Sequence, residues 1–232
     1  MHVELGCRQK GVHSHTITEI YVILKGHCEG YDGNGDLHHA GPMDCIYIPV
    51  GVPHAVRNSG TEELELLWIH DGVEKKGLST YYYSEEETPK VGGVQVVKFA
   101  DVEPDWSSPK ASQAPYLHWL VSFVAGGKKE YVNFNPRNAI INSNIAMGLL
   151  CIYPGNKQLP HALPGTQCYV VMKGEGLLTE KGKKGGRMQA LTGAWVKGGV
   201  VHAIRNLGTE PLWVMWMHER LIKREAIKYE EE

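Results

Sequence analysis

The chain has 232 residues, with 24 Lys or Arg against 26 Asp or Glu and a formal net charge of −2. That balance, without a basic stripe, argues against nucleic-acid backbone binding, and no apolar run approaches the roughly 18 residues of a membrane helix. Hydrophobic residues make up 42%, enough for a substantial core, and 27 glycines set among β-branched and aromatic runs predict many short strands joined by tight turns.

In chain order, Met1 is followed almost at once by His2 and Glu4, so no secretory leader is expected. The five cysteines (Cys7, Cys28, Cys45, Cys151, Cys168) form no CxxC pair, and their odd number opposes a disulfide framework. A reducing cytoplasm is the expected compartment. Glu19 to Leu24 reads as a strand ending at Lys25-Gly26, and Asp32-Gly33-Asn34-Gly35 as a hairpin turn. Cys45 to Ile48 is a short apolar strand closed by Pro49-Val50-Gly51, and Leu64 to Ile69 is another after a Gly60-Thr61 turn. A connector follows with the acidic run Glu85-Glu86-Glu87, the Trp106-Ser107-Ser108-Pro109 stretch and one strand at Val94 to Phe99. Tyr116 to Val124 and Glu130 to Phe134 open a second domain, with later strands at Cys168 to Met172, Ala194 to Val196 and Leu212 to Met217. The basic run from Lys181 to Arg187 reads as a solvated hairpin loop, and Glu219 to Lys228 as a short surface helix. The Leu212 to Met217 strand is apolar on both faces, which predicts cover from the other domain or a second subunit, and a homodimer is expected.

The chain also repeats itself. His54-Ala55-Val56-Arg57-Asn58 lies over His202-Ala203-Ile204-Arg205-Asn206 at an offset of 148 (202 minus 54), and ten of the 17 pairs from 54 to 70 are identical. The same offset places His13 on His161, Tyr21 on Tyr169 and Gly26 on Gly174. One unchanged offset across separated blocks means duplication of a whole domain. The expected division is an N-terminal core over 1–71, a connector over 72–115 that contributes strands, and a C-terminal domain over 116–232. The first domain lacks the lead-in of the second, so it is expected to borrow strands from the connector or a partner chain.

His13-Ser14-His15 puts two imidazoles on one face of an extended segment, because side chains alternate with period two. Glu19 can share that face after a short turn, and His54 arrives from another strand. Three nitrogen donors and one carboxylate suit Mn, Fe, Ni, Co or Zn and leave positions open for substrate.

The pattern His13-x-His15-xxx-Glu19-xxxxxx-Gly26, followed by Pro49, Gly51, His54 and Asn58 in the order PxGxxHxxxN, resembles the two motifs of the cupin family. The Gly-Asp usual upstream of the second motif is Met43-Asp44 here. The resemblance implies an all-β fold of two tandem cupin-type jelly-roll β-barrels, with the short C-terminal helix appended. It implies one divalent metal ion per chain, held by His13, His15, Glu19 and His54. In the second copy Leu163 and Gln167 replace the second histidine and the glutamate, leaving His161, Gln167 and His202 as a degenerate site.

Tyr21 and His70 are candidate proton-transfer residues, and Ile23, Ile46, Arg57 and Trp68 candidate walls of a substrate pocket, although Tyr21, Arg57, Trp68 and His70 recur in the degenerate copy. The expected activity is that of a metal-dependent enzyme on a small polar oxygenated organic substrate, with an Fe(II)-type dioxygenase favoured. The alternatives are a non-redox isomerase or lyase using Mn, Zn, Ni or Co, and a non-enzymatic small-ligand binding module.

Overall fold

The computed structural model describes residues 1–72, 79–126, 139–219 and 226–230. Its contacts separate it into two units, Met1–Asp101 and Val102–Glu232. The segment expected as a connector is therefore split, 72–101 falling in the first unit and 102–115 in the second.

Among the described residues the first unit contains ten strands: β1 (His2–Val3), β2 (Val12–Ser14), β3 (Glu19–Lys25), β4 (Cys28–Asp32), β5 (Leu37–Ala40), β6 (Cys45–Ile48), β7 (His54–Asn58), β8 (Leu64–His70), β9 (Thr80–Tyr82) and β10 (Gln95–Val97). They form two five-stranded sheets, ordered β1-β8-β3-β6-β10 and β5-β4-β7-β2-β9. β9 and β10 both come from the expected connector. A core drawn from both sheets lies between them: Tyr21, Ile23, Ile46, Ile48, Leu64 and Leu66 from one, Cys28, Ala40 and Val56 from the other. Full burial of each large aliphatic side chain is worth about 1.5–3 kcal/mol, which makes this interior the chief source of stability.

The turn between β4 and β5 falls on the predicted Asp-Gly-Asn-Gly. Asp32 Oδ1 accepts from the backbone N–H of Asn34 at 3.0 Å, and Gly35 takes φ +85°. Gly33 lies so near the backbone of Pro89 that an added Cβ would come within 2.2 Å of its carbonyl oxygen.

The second unit holds β11 (His118–Gly126), β12 (Ile140–Asn142), β13 (Ile145–Ile152), β14 (His161–Ala162), β15 (Gln167–Lys173), β16 (Glu175–Glu180), β17 (Gly186–Gln189), β18 (Gly193–Val196), β19 (His202–Asn206), β20 (Leu212–Glu219) and β21 (Lys228–Tyr229). Its sheets run β12-β11-β13-β20-β15-β18 and β17-β16-β19-β14-β21. The repeat is exact in strand pairing: His13 faces His54 as His161 faces His202, and Glu19 faces His70 as Gln167 faces His218. The long β13 covers all of β20, whereas β1 pairs only with Leu64 and Glu65 of β8. The predicted Glu130 to Phe134 strand lies outside the described residues.

Two expectations are corrected. The jelly-roll β-barrels are not closed. The outer strands of each sheet pair with one neighbour only, so each unit is a pair of facing open sheets; barrel closure requires those edges to pair with each other. The C-terminal helix is also absent from the described residues. Glu219 ends β20, and Lys228 and Tyr229 form β21, which pairs with β14. Phe99–Asp101 form a 3-10 turn, and among the described residues no helix is long and apolar enough to cross a membrane.

The outer face of β20 carries Trp213, met edge-on by Trp119 at 5.2 Å between ring centroids, with Trp106 beyond it at 6.4 Å from Trp119. These rings of its own unit supply part of the apolar cover that the sequence demands.

Candidate metal centre

The two facing sheets of the first unit bring the predicted ligands together. His13 and His54 lie opposite one another on β2 and β7, His15 follows β2, and Glu19 begins β3 on the other sheet. All four are buried, and one ligand atom from each lies within 4.8 Å of the others.

Glu19 Oε2 is the focus. His54 Nε2 lies 2.7 Å from it, His15 Nε2 3.2 Å and His13 Nε2 3.9 Å. Ligands at about 2.1 Å from one ion stand about 3 Å apart when adjacent, so this spacing suits a shared cation. Proton accounting points the same way. His54 Nδ1 lies 2.9 Å from the Val52 carbonyl oxygen, which only accepts, so Nδ1 carries the proton and Nε2 turns a lone pair toward a carboxylate. A single added proton would relieve one of these contacts; a divalent cation satisfies all four donors at once.

Electrostatics sets the ligands in the form a metal needs. Burial, then the neighbouring His54, lowers the His13 pKa to about 4 against the opposing pull of Glu19. Burial alone would raise Glu19, but the His15 and His54 imidazoles set against it more than offset this, holding the carboxyl well below the usual carboxylate range. Near neutral pH the site therefore offers a neutral His13 and an ionised Glu19.

Surrounding groups brace the ligands. The Tyr21 hydroxyl, on a side chain 2% exposed, donates to Glu19 Oε2 at 3.0 Å. Ser79 Oγ lies 3.2 Å from His15 Nδ1, and the Tyr81 ring stacks on His13 at 5.3 Å. Ser79 and Tyr81 were missed in the sequence, although Tyr81 repeats as Tyr229 at the same offset of 148 and pairs with His13 as Tyr229 pairs with His161; that match was the available signal. Asn58 works further out, its amide donating to the Val3 and Glu62 carbonyls at 3.0 and 2.8 Å. Asn206 makes the same pair of bonds to Ile152 and Glu210.

The remaining candidates are placed as follows. His70 stands across from Glu19, its Nε2 3.4 Å from Glu19 Oε1 but out of hydrogen-bond alignment, its ring 4.8 Å from that of His15. Trp68 is 56% exposed and touches the His70 ring. Ile23 and Ile46 lie in the core between the sheets. Arg57 is exposed and paired with Glu29.

In the second unit His161 and His202 keep their places with rings 4.6 Å apart, and Leu163 is buried. The Tyr169 hydroxyl, 2.6 Å from Gln167 Oε1 and 2.8 Å from His202 Nε2, fills the centre where the first unit gathers its ligands. Among the described residues the only other cluster of metal-ligating types is His2, Glu63 and Glu65, whose first two members are an exposed surface pair. Among the described residues the arrangement is thus one divalent-metal site, at His13, His15, Glu19 and His54.

The family described as Cupin domain matches residues 1–70, and the second unit repeats the strand registers of the first. The chain is a bicupin in fold. No curated protein matches it. Solved structures similar to this bicupin include a mutant of Bacillus subtilis oxalate decarboxylase, at 16% identity and a TM-score of 0.66, covering 96% of this chain and 68% of that one. The formate complex of Lactobacillus farciminis oxalate decarboxylase is similar at 12% identity and 0.65, over 96% and 75%. A Bacillus subtilis oxalate decarboxylase structure described by its Mn(II) centres is similar at 17% identity and 0.61, over 96% and 68%. These likenesses are of fold. They are to decarboxylases, and the expectation of an Fe(II)-type dioxygenase, an oxidoreductase, is withdrawn.

Proposed function

We propose that this bicupin is a metal-dependent lyase that cleaves a small carboxylate-bearing acid without net oxidation. The observation that carries the proposal is His70, an imidazole held beside Glu19 with no aligned partner for its Nε2. Such a group, partly open to solvent at the edge of the ligand cluster, is suited to carry a proton to or from a bound substrate.

A divalent ion on His13, His15, Glu19 and His54 would bind substrate oxygens and stabilise negative charge developing on them. Three neutral imidazoles and one carboxylate leave such an ion one positive charge, which favours an anionic substrate. Tyr21 holds the Glu19 carboxylate in place rather than meeting the substrate, since its hydroxyl is buried against Oε2. Tyr81, half exposed above His13, is placed to cover a ligand. Fold similarity to oxalate decarboxylases supports the choice of small dicarboxylic and hydroxy acids as substrates and of Mn(II) as the first ion to test. The five free cysteines support a reducing cytoplasm, and the length of β8 left unpaired beyond β1 supports a homodimer.

The test is turnover by Mn(II)-loaded protein on oxalate and on short 2-hydroxy acids, with carbon dioxide and dissolved oxygen followed together. Carbon dioxide release without net oxygen uptake, lost in His70→Gln while metal content is kept, is the expected result. Stoichiometric oxygen consumption refutes it.

A further inference from the structure

The second unit encloses a cavity of about 60 Å³ with Gln158, His161, Leu163, Tyr169, Trp216 and Tyr229 among its lining. Among the described residues no Asp, Glu, Lys or Arg contributes to that wall. Two polar groups on it are buried without a hydrogen-bond partner, the acceptor Gln158 Oε1 and the donor Trp216 Nε1. Gln158 is only 7% exposed. Buried orphans are rare in folded proteins, because each has lost its water and gained nothing in return.

The histidines of the wall add acceptors. His118, His161 and His218 each direct Nδ1 at a backbone carbonyl oxygen, at 2.7, 3.1 and 2.7 Å, so Nδ1 carries the proton and Nε2 is left as a lone pair. Burial lowers the pKa of all three, that of His161 to about 3, and keeps them uncharged near neutrality. They are not a metal site, since among the described residues they form no group of converging ligand atoms. The wall is thus neutral, rich in acceptors, and equipped with one orphaned N–H.

We propose that this cavity binds the primary amide group of a small uncharged molecule. An amide NH2 donates to Gln158 Oε1, and its carbonyl accepts from Trp216 Nε1–H, so one group satisfies both orphans. Carboxylates are rejected, because nothing in the wall neutralises their charge. An apolar cavity of about 150 Å³ takes benzene, so about 60 Å³ suits a group of roughly three or four heavy atoms, such as acetamide.

The experiment is saturation-transfer NMR on the full metal-loaded chain at pH 7.5, with acetamide and the isosteric acetate as probes. Acetamide is expected to receive saturation and acetate none from this cavity. Gln158→Leu and Trp216→Phe are each expected to weaken acetamide binding by about tenfold, with circular dichroism and metal content unchanged. Trp216→Phe keeps the ring, so it separates loss of the N–H from loss of the fold. The proposal is overturned if acetate competes with acetamide, if neither receives saturation (water alone filling the cavity), or if both folded variants bind as the parent does. Because metal content is read in the same samples, failure here is distinguishable from failure at the first unit's site.

Discussion

Removing the Tyr21 hydroxyl isolates the support of the metal ligand Glu19. In Tyr21→Phe the ring still fills its place in the core, and only the bond at 3.0 Å to Glu19 Oε2 is lost. A hydrogen bond to a charged acceptor contributes about 1.5–3 kcal/mol, and here the acceptor is a carboxylate that cannot recover it from water, being 5% exposed. That loss is felt with or without an ion, so urea unfolding in the presence of EDTA should show destabilisation of that size. The carboxylate also loses the brace that fixes its orientation, for which a 10–100-fold drop in metal affinity is typical of such supporting groups. Competition against a chromophoric chelator measures it. The duplicated chain supplies its own control: Tyr169→Phe removes the matching hydroxyl beside the uncharged Gln167 and should leave metal affinity unchanged. Undiminished affinity in Tyr21→Phe, or an equal loss in Tyr169→Phe, would refute the reasoning.

Three further outcomes follow from the same structure. The double substitution Leu163→His and Gln167→Glu restores the first unit's ligand set at positions in matching register, and metal analysis by mass spectrometry should rise from about one ion per chain toward two. Met43 stands where the motif has glycine and takes φ 73°, as does its counterpart Leu191 at 65°; Met43→Gly should stabilise the chain by about 0.5–1 kcal/mol in urea unfolding, since a side chain is strained there. Acid should weaken the second unit before any carboxylate titrates. Burial puts the folded-state pKa of His161 at about 3 against 6.5 unfolded, so the unfolded chain binds more protons between those values, and stability present above pH 6.5 is lost as pH falls toward 3, by up to about 5 kcal/mol. Urea midpoints measured in EDTA from pH 7.5 to 4 check this, and His161→Phe should flatten the slope.

The ligand set was legible because it rests on spacing: alternation puts His13 and His15 together, and the 148-residue repeat shows which histidines belong to the fold and which copy lost its carboxylate. Barrel closure was not legible, because it depends on whether the edge strands β1 and β10 of one sheet meet the edge strands β5 and β9 of the other, and a strand carries no local mark of the edge it will find. The tail misled for another reason. Charged residues at helical density from Glu219 to Lys228 favour a helix locally, but at the described ends of that stretch Glu219 closes β20 and Lys228 opens β21, which pairs with β14, so tertiary contact decides there. Ser79 stayed hidden because Ile227 lies over it, whereas Tyr81 is matched by Tyr229 as a lone identity at the edge of each copy, too short a match to mark a strand.

The Tyr169 hydroxyl between Gln167 and His202 gives the duplicated chain an unequal dependence on its surroundings. In the first unit, β2 and β7 of one sheet are joined to β3 of the other through side chains that need an ion to reconcile them. In the second, β15 and β19 are joined by a phenol that the chain carries with it. Metal starvation should therefore loosen one half and leave the other intact, so that brief proteolysis after chelation cuts within the first hundred residues and spares the rest. A cell short of metal would hold this chain with its first half loosened and its second half folded.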